Sequence, residues 1–153
     1  MKKWYWVFLI IILADFFIFF GKYHPRREFN SNVSLYVALS AESVGVEDIK
    51  SRVPITVNYS AKNESSSDYV ASKYFYRILL SRAYDTSGFV LKEFSKDLKT
   101  NNSFAGTYTW IPETIPANGG TFKMYFNLYK EVAFSDPILI SSSEVSIVFL
   151  EEK

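Results

Sequence analysis

The sequence predicts an all-β fold, an antiparallel β-sandwich of seven or eight short strands, preceded by one transmembrane α-helix. Three observations predict it. Residues 4–20 are apolar without interruption except at Asp15. From residue 33 onward, apolar and polar residues alternate with a period of two. Clusters of Gly, Pro, Asn and Asp break that alternation at sandwich-like intervals, and no long helical pattern follows residue 30.

Composition narrows the class further. A hydrophobic content of 48% with 18% aromatics is far above that of a disordered chain. Setting the N-terminal segment aside leaves about 120 residues, enough for one domain with its own core. The net charge of +1 gives no long-range attraction to nucleic acid, and none is expected as a partner. Cysteine is absent, which excludes disulfides, thiolate metal sites and cysteine nucleophiles.

Residues 1–21 are expected to form a signal-anchor helix. The apolar run from Trp4 to Phe20 would span about 25 Å at 1.5 Å per residue, near the short limit for a bilayer core. Trp4, Tyr5 and Trp6 suit the membrane–water interface. A cleaved signal peptide competes with this reading, but Phe19-Phe20-Gly21-Lys22 is a poor cleavage site. A buried core helix is the third alternative. Lys2 and Lys3 favour a cytoplasmic N-terminus and are nearly balanced by Lys22, Arg26 and Arg27. The short N-terminus and the β composition place the following domain outside the cytoplasm, periplasmic or extracellular. The triplets beginning at Asn32, Asn58, Asn63 and Asn101 match the glycosylation acceptor pattern and add weak support.

Asp15 is the residue in this run that calls for a partner. An isolated carboxylate at helix-centre depth costs about 2.5–3.5 kcal/mol on insertion scales. It is expected to contact another membrane subunit, with Ile11, Ile12, Ile18 and Phe19 on the same helical face. The plain alternative is a shallow Asp reached by water. A proton pathway lacks a second ionisable residue in this helix.

Residues 22–32 read as a polar juxtamembrane linker, and 33–153 as the sandwich. Ser34–Ser40 places Leu35, Val37 and Leu39 on one face. Ser43–Ile49 is a short edge strand or a loop. Val53–Ala61 points Val53, Ile55, Val57 and Tyr59 inward. Tyr74–Tyr84 and Phe89–Leu98 form a hairpin around the Asp85–Gly88 turn. Thr107–Ile111 carries Trp110, a core candidate. Phe122, Met124, Phe126 and Leu128 alternate with Lys123, Tyr125, Asn127 and Tyr129. Val145–Leu150 is the closing strand.

Val-Pro-Ile-Thr-Val-Asn-Tyr-Ser-Ala-Lys-Asn (53–63), the central hairpin and Thr-Ile-Pro-Ala-Asn-Gly-Gly-Thr-Phe-Lys-Met-Tyr-Phe (114–126) together resemble immunoglobulin-like or fibronectin type III-like modules. The resemblance spans roughly residues 33–150 at the level of pattern, and the paired cysteines of antibody domains are missing. It implies an adhesion, spacer or subunit-contact module.

Chemistry-bearing motifs are scarce. The single histidine, His24, lies in the linker. No P-loop, dinucleotide fingerprint or EF-hand loop occurs. No catalytic residue, metal or other cofactor is expected. Tyr125 and Tyr129 share the polar parity of their strand and are candidates for surface binding of a glycan or protein ligand. The expected function is that of a non-catalytic accessory or structural subunit of a membrane complex. Its partners would be integral membrane proteins and the bilayer. A surface-anchored adhesion or glycan/protein-binding module is the alternative.

Overall fold

The computed structural model describes residues 32–82, 88–113 and 119–151. The anticipated membrane helix and nearly all of the linker lie outside them. Among the described residues, no helix is long and apolar enough to cross a membrane.

The described chain is a β-sandwich of eight strands and one helical turn. In order these are β1 (Val33–Leu39), β2 (Ser43–Val44), α1 (Val46–Lys50), β3 (Ile55–Asn63), β4 (Tyr74–Arg82), β5 (Phe89–Phe94), β6 (Ser103–Trp110), β7 (Gly120–Lys130) and β8 (Ile138–Phe149). One sheet has the order β1-β3-β6 and the other β2-β8-β7-β4-β5. All pairings are antiparallel except β2 with β8, which run parallel.

Period-two alternation sets the packing. In β3, Ile55, Val57, Tyr59 and Ala61 are buried, while Asn58 and Lys62 face solvent. In β7, Phe122, Met124, Phe126 and Leu128 point into the same core. Its centre is aromatic. The Tyr76 ring stacks on Phe94 and Phe126 at 5.2 and 5.6 Å and meets Phe104 edge-on at 5.2 Å. A second aromatic group, Trp110, Phe122 and Phe149, fills the opposite end, as expected for Trp110.

Several boundaries differ from the sequence reading. Val53 is 44% exposed, because the strand begins only at Ile55, after Pro54. Ser43–Ile49 divides into β2 and α1, whose first turn is held by the Gly45 N–H donating to Asp48 Oδ2 at 2.7 Å. β5 ends at Phe94, and Leu98 instead forms a bridge to Tyr69. β8 begins at Ile138, seven residues before the expected start. Its serine run has low strand propensity, yet Ser141 is buried and donates its hydroxyl to the Val33 carbonyl at 2.7 Å. The Asp85–Gly88 turn lies largely outside the described residues.

Two of the connections that cross between the sheets, β3 to β4 and β5 to β6, are stapled together. Tyr69 and Leu98 exchange both backbone hydrogen bonds, at 3.0 and 2.8 Å. Asp97 accepts the Ala71 N–H at 2.6 Å, and Asp68 accepts the N–H and hydroxyl of Thr100 at 2.7 and 3.0 Å. Those donated bonds hold the Asp68 carboxyl below the usual range. Asn63 completes the staple. It is fully buried, donates to the carbonyls of Ser67 and Leu98, and accepts from Ser65 N and Oγ at 2.9 and 2.6 Å.

Candidate binding face

Strand parity divides the five-stranded sheet into two faces. Tyr76, Ile78, Met124, Phe126 and Leu128 are sealed against the three-stranded sheet. The alternate residues therefore build the outer face. Across it Phe75 pairs with Tyr129, Arg77 with Asn127 and Leu79 with Tyr125, and β8 adds Ser142 and Glu144 beside Asn127 and Tyr125.

This outer face is ordered by its own side chains. The Tyr129 ring stacks on Phe75 with centroids 5.3 Å apart and planes 15° apart. The Arg77 guanidinium lies 4.8 Å from the Phe75 centroid and 5.3 Å from that of Tyr129. Its Nε donates to Glu93 Oε2 on β5 at 2.6 Å. Asn127 Nδ2 donates to the Tyr129 hydroxyl at 3.0 Å, and the Ser142 hydroxyl donates to Asn127 Oδ1. Lys123 pairs with Glu144. Partial burial, and then the neighbouring Glu144 charge, raise the Tyr125 phenol above its ordinary pKa, with Lys123 opposing.

Tyr125 and Tyr129 thus occupy one face but not one pocket. Four residues apart on a strand, their Cα atoms are separated by about 13 Å. Tyr129 is engaged with Phe75, Arg77 and Asn127, whereas Tyr125 is half-buried beside Leu79 and Glu144. Sequence reasoning placed Asn127 at the parity of the two tyrosines but passed over Phe75 and Arg77 as members of this surface. Strand pairing is what brings Arg77 to the aromatic pair. Phe75 and Asn127 are themselves buried, so what the array presents to solvent is part of Arg77, Tyr125 and Tyr129, beside the exposed Glu93 and Glu144. Among the described residues no three His, Cys, Asp or Glu side chains converge as metal ligands.

Asp15, Ile11, Ile12, Ile18 and Phe19, like His24, lie outside the described residues. Of the acceptor triplets, Asn32, Asn58 and Asn101 are exposed. Asn63 is not, since its side-chain amide is buried and donates twice. That removes it as a glycosylation site of the folded domain.

No known protein family matches the sequence, and no curated protein does. Solved structures do resemble the fold. The solution NMR structure of the CARDB domain of PF1109 from Pyrococcus furiosus is 14% identical, with a TM-score of 0.51, covering 82% of this chain and 99% of that domain. The C-terminal domain of wzt is 9% identical, with a TM-score of 0.48, over 86% of each chain. The β-glucosidase EmGH1 of Erythrobacter marinus is 10% identical at a TM-score of 0.46, over 77% of this chain and 15% of that enzyme. At these identities the likeness concerns the β-sandwich fold alone.

Proposed function

We propose that this chain is a non-catalytic, single-pass accessory subunit of a membrane protein complex, with an immunoglobulin-like sandwich outside the cytoplasm that contacts partner subunits. The observation that carries the reading is Asp15, a lone carboxylate within seventeen otherwise apolar residues, 4–20. Its insertion cost is offset when a neighbouring helix supplies a hydrogen bond or a positive charge. The partly exposed Arg77, Tyr125 and Tyr129 of the outer face support the second half of the reading. Flat mixed surfaces with aromatic and Arg side chains are typical of protein contacts.

The test is purification of the full chain from its native membrane in mild detergent. Wild type should bring stoichiometric membrane companions, and Asp15→Leu should lose them. A wild-type chain that elutes alone and monodisperse sinks the proposal.

A second reading, a surface-anchored module binding glycan or protein, is favoured by Tyr125, which is partly exposed on the outer face beside Glu144. It predicts that Tyr125→Ala abolishes ligand binding while Asp15→Leu leaves every association intact.

A further inference from the structure

We propose that Phe134, at the tip of the β7–β8 loop, inserts its ring into the lipid interface and seats the domain on the membrane to which the N-terminal segment tethers it. The inference rests on the membrane-anchor reading above and adds to it a second, specific contact.

Phe134 is fully exposed and has φ +60°. A bulky residue in the left-handed region is a genuine outlier, and Gly or Asn is the ordinary occupant there. Such conformations are strained and persist only where their surroundings compensate. No packing within the described domain compensates for a ring that touches so little of it. The turn is defined, with Ser135 N–H donating to the Val132 carbonyl at 3.3 Å.

The position of the tip supplies the occupant. β1 and β8 run in the same direction, with Val33 beside Ser141 and Glu42 beside Val148. The chain therefore enters the domain at the end where β8 begins. Lys130 pairs with Ile138, so the Glu131–Pro137 loop closes the β7–β8 hairpin at that same end. Ser141 is three residues into β8 from Ile138, about 10 Å along the strand. The linker of residues 22–32 reaches at most about 40 Å, so this end of the sandwich is the one held within that distance of whatever surface holds residues 4–20.

Two further apolar residues are exposed at this end. Ala133 is exposed, and Val70 is 44% exposed on the adjoining loop, which is joined by Glu131 N–H donating to the Lys73 carbonyl. Lys73 and Lys130 are offset by Glu131 and Asp136, so the contact is apolar rather than electrostatic. Zwitterionic lipid is therefore sufficient, and added salt does not release the loop.

The absence of cysteine makes the test clean. Full-length Phe134→Cys and Ile111→Cys are each labelled with an environment-sensitive fluorophore and reconstituted in phosphatidylcholine vesicles containing spin-labelled lipid. Ile111 is 43% exposed and follows β6, whose other end pairs near Val33, so it reports the far end. The expected result is a blue shift and quenching at position 134 several-fold stronger than at 111. Equal, weak quenching at both overturns the inference, as does signal that appears only when anionic lipid is added. Vesicle flotation of the same samples reports the tether separately. A chain that floats with an unquenched position 134 sinks the insertion alone, whereas a chain that does not float sinks both readings.

Discussion

Gly106 lies directly opposite Tyr59 on the β3–β6 ladder, and the Tyr59 ring covers it so closely that a Cβ at 106 would come 2.6 Å from the phenol oxygen. The ring is confined by Phe94 and Phe126, with centroids 5.4 and 5.1 Å away, and cannot swing clear. Gly106→Ala should therefore destabilise the domain by about 1–3 kcal/mol, the usual range for overpacking. Urea denaturation measures it. Combining it with Tyr59→Leu should cost less than the sum of the two single changes.

Asn63 should be among the most sensitive polar positions. Asn63→Ala removes the acceptor of the Ser65 N–H, while the Leu98 and Ser67 carbonyls keep the Tyr69 N–H and the Ser65 hydroxyl, and should cost about 1–3 kcal/mol for the buried donor left unsatisfied. Asn63→Asp should be worse, because it buries a carboxylate against two carbonyl oxygens that it cannot donate to. Thermal melts and amide exchange of residues 64–69 and 98–102 check this, with Asn58→Ala as the exposed control.

Tyr76 presents the opposite case. Its ring is wholly buried and its hydroxyl has no hydrogen-bond partner among the described residues. Tyr76→Phe should raise stability by about 1 kcal/mol by removing an unsatisfied group. Burial is the main cause of a phenol pKa pushed far above 10. A raised folded-state value means that the contribution is intact below pH 10 and declines as the pH rises beyond it, because only the unfolded chain then releases the proton. Urea midpoints at successive alkaline pH values should fall less steeply in Tyr76→Phe than in wild type.

Arg77 orders the outer face. Arg77→Ala removes the cation above Phe75 and Tyr129 together with the Glu93 pair, and should cost about 0.5–2 kcal/mol. Arg77→Lys should restore little, since an ammonium lacks the planar surface that covers both rings. A full rescue by lysine, read from chemical denaturation, would contradict this account.

Much of the sandwich was legible because burial in a sheet imposes period two. β3 and β7 have the parity that their sequences show, and Trp110 is in the core. The beginning of β8 was not legible. Ser141–Ser143 has the local preferences of a loop, and a hydrogen bond to Val33, 108 residues away, belongs to no local pattern. The candidate face was half legible. Tyr125 and Tyr129 follow from parity, but the stack of Tyr129 on Phe75 depends on the register between β4 and β7. Asn63 looked like a surface acceptor because its triplet is polar. The cross-connection staple is what buries it.

By itself the sequence determined an all-β domain with an aromatic core, and an apolar segment bearing one carboxylate. Local periodicity and the cost of desolvating a charge act on residues near one another in the chain, so they can be read along it. Tertiary structure alone decided which residues meet across strands: Gly106 beneath Tyr59, Arg77 above Phe75 and Tyr129, and Phe134 at the end where the chain enters. Those relationships depend on register and on the order of strands in each sheet, and both are set by the packing of the whole core.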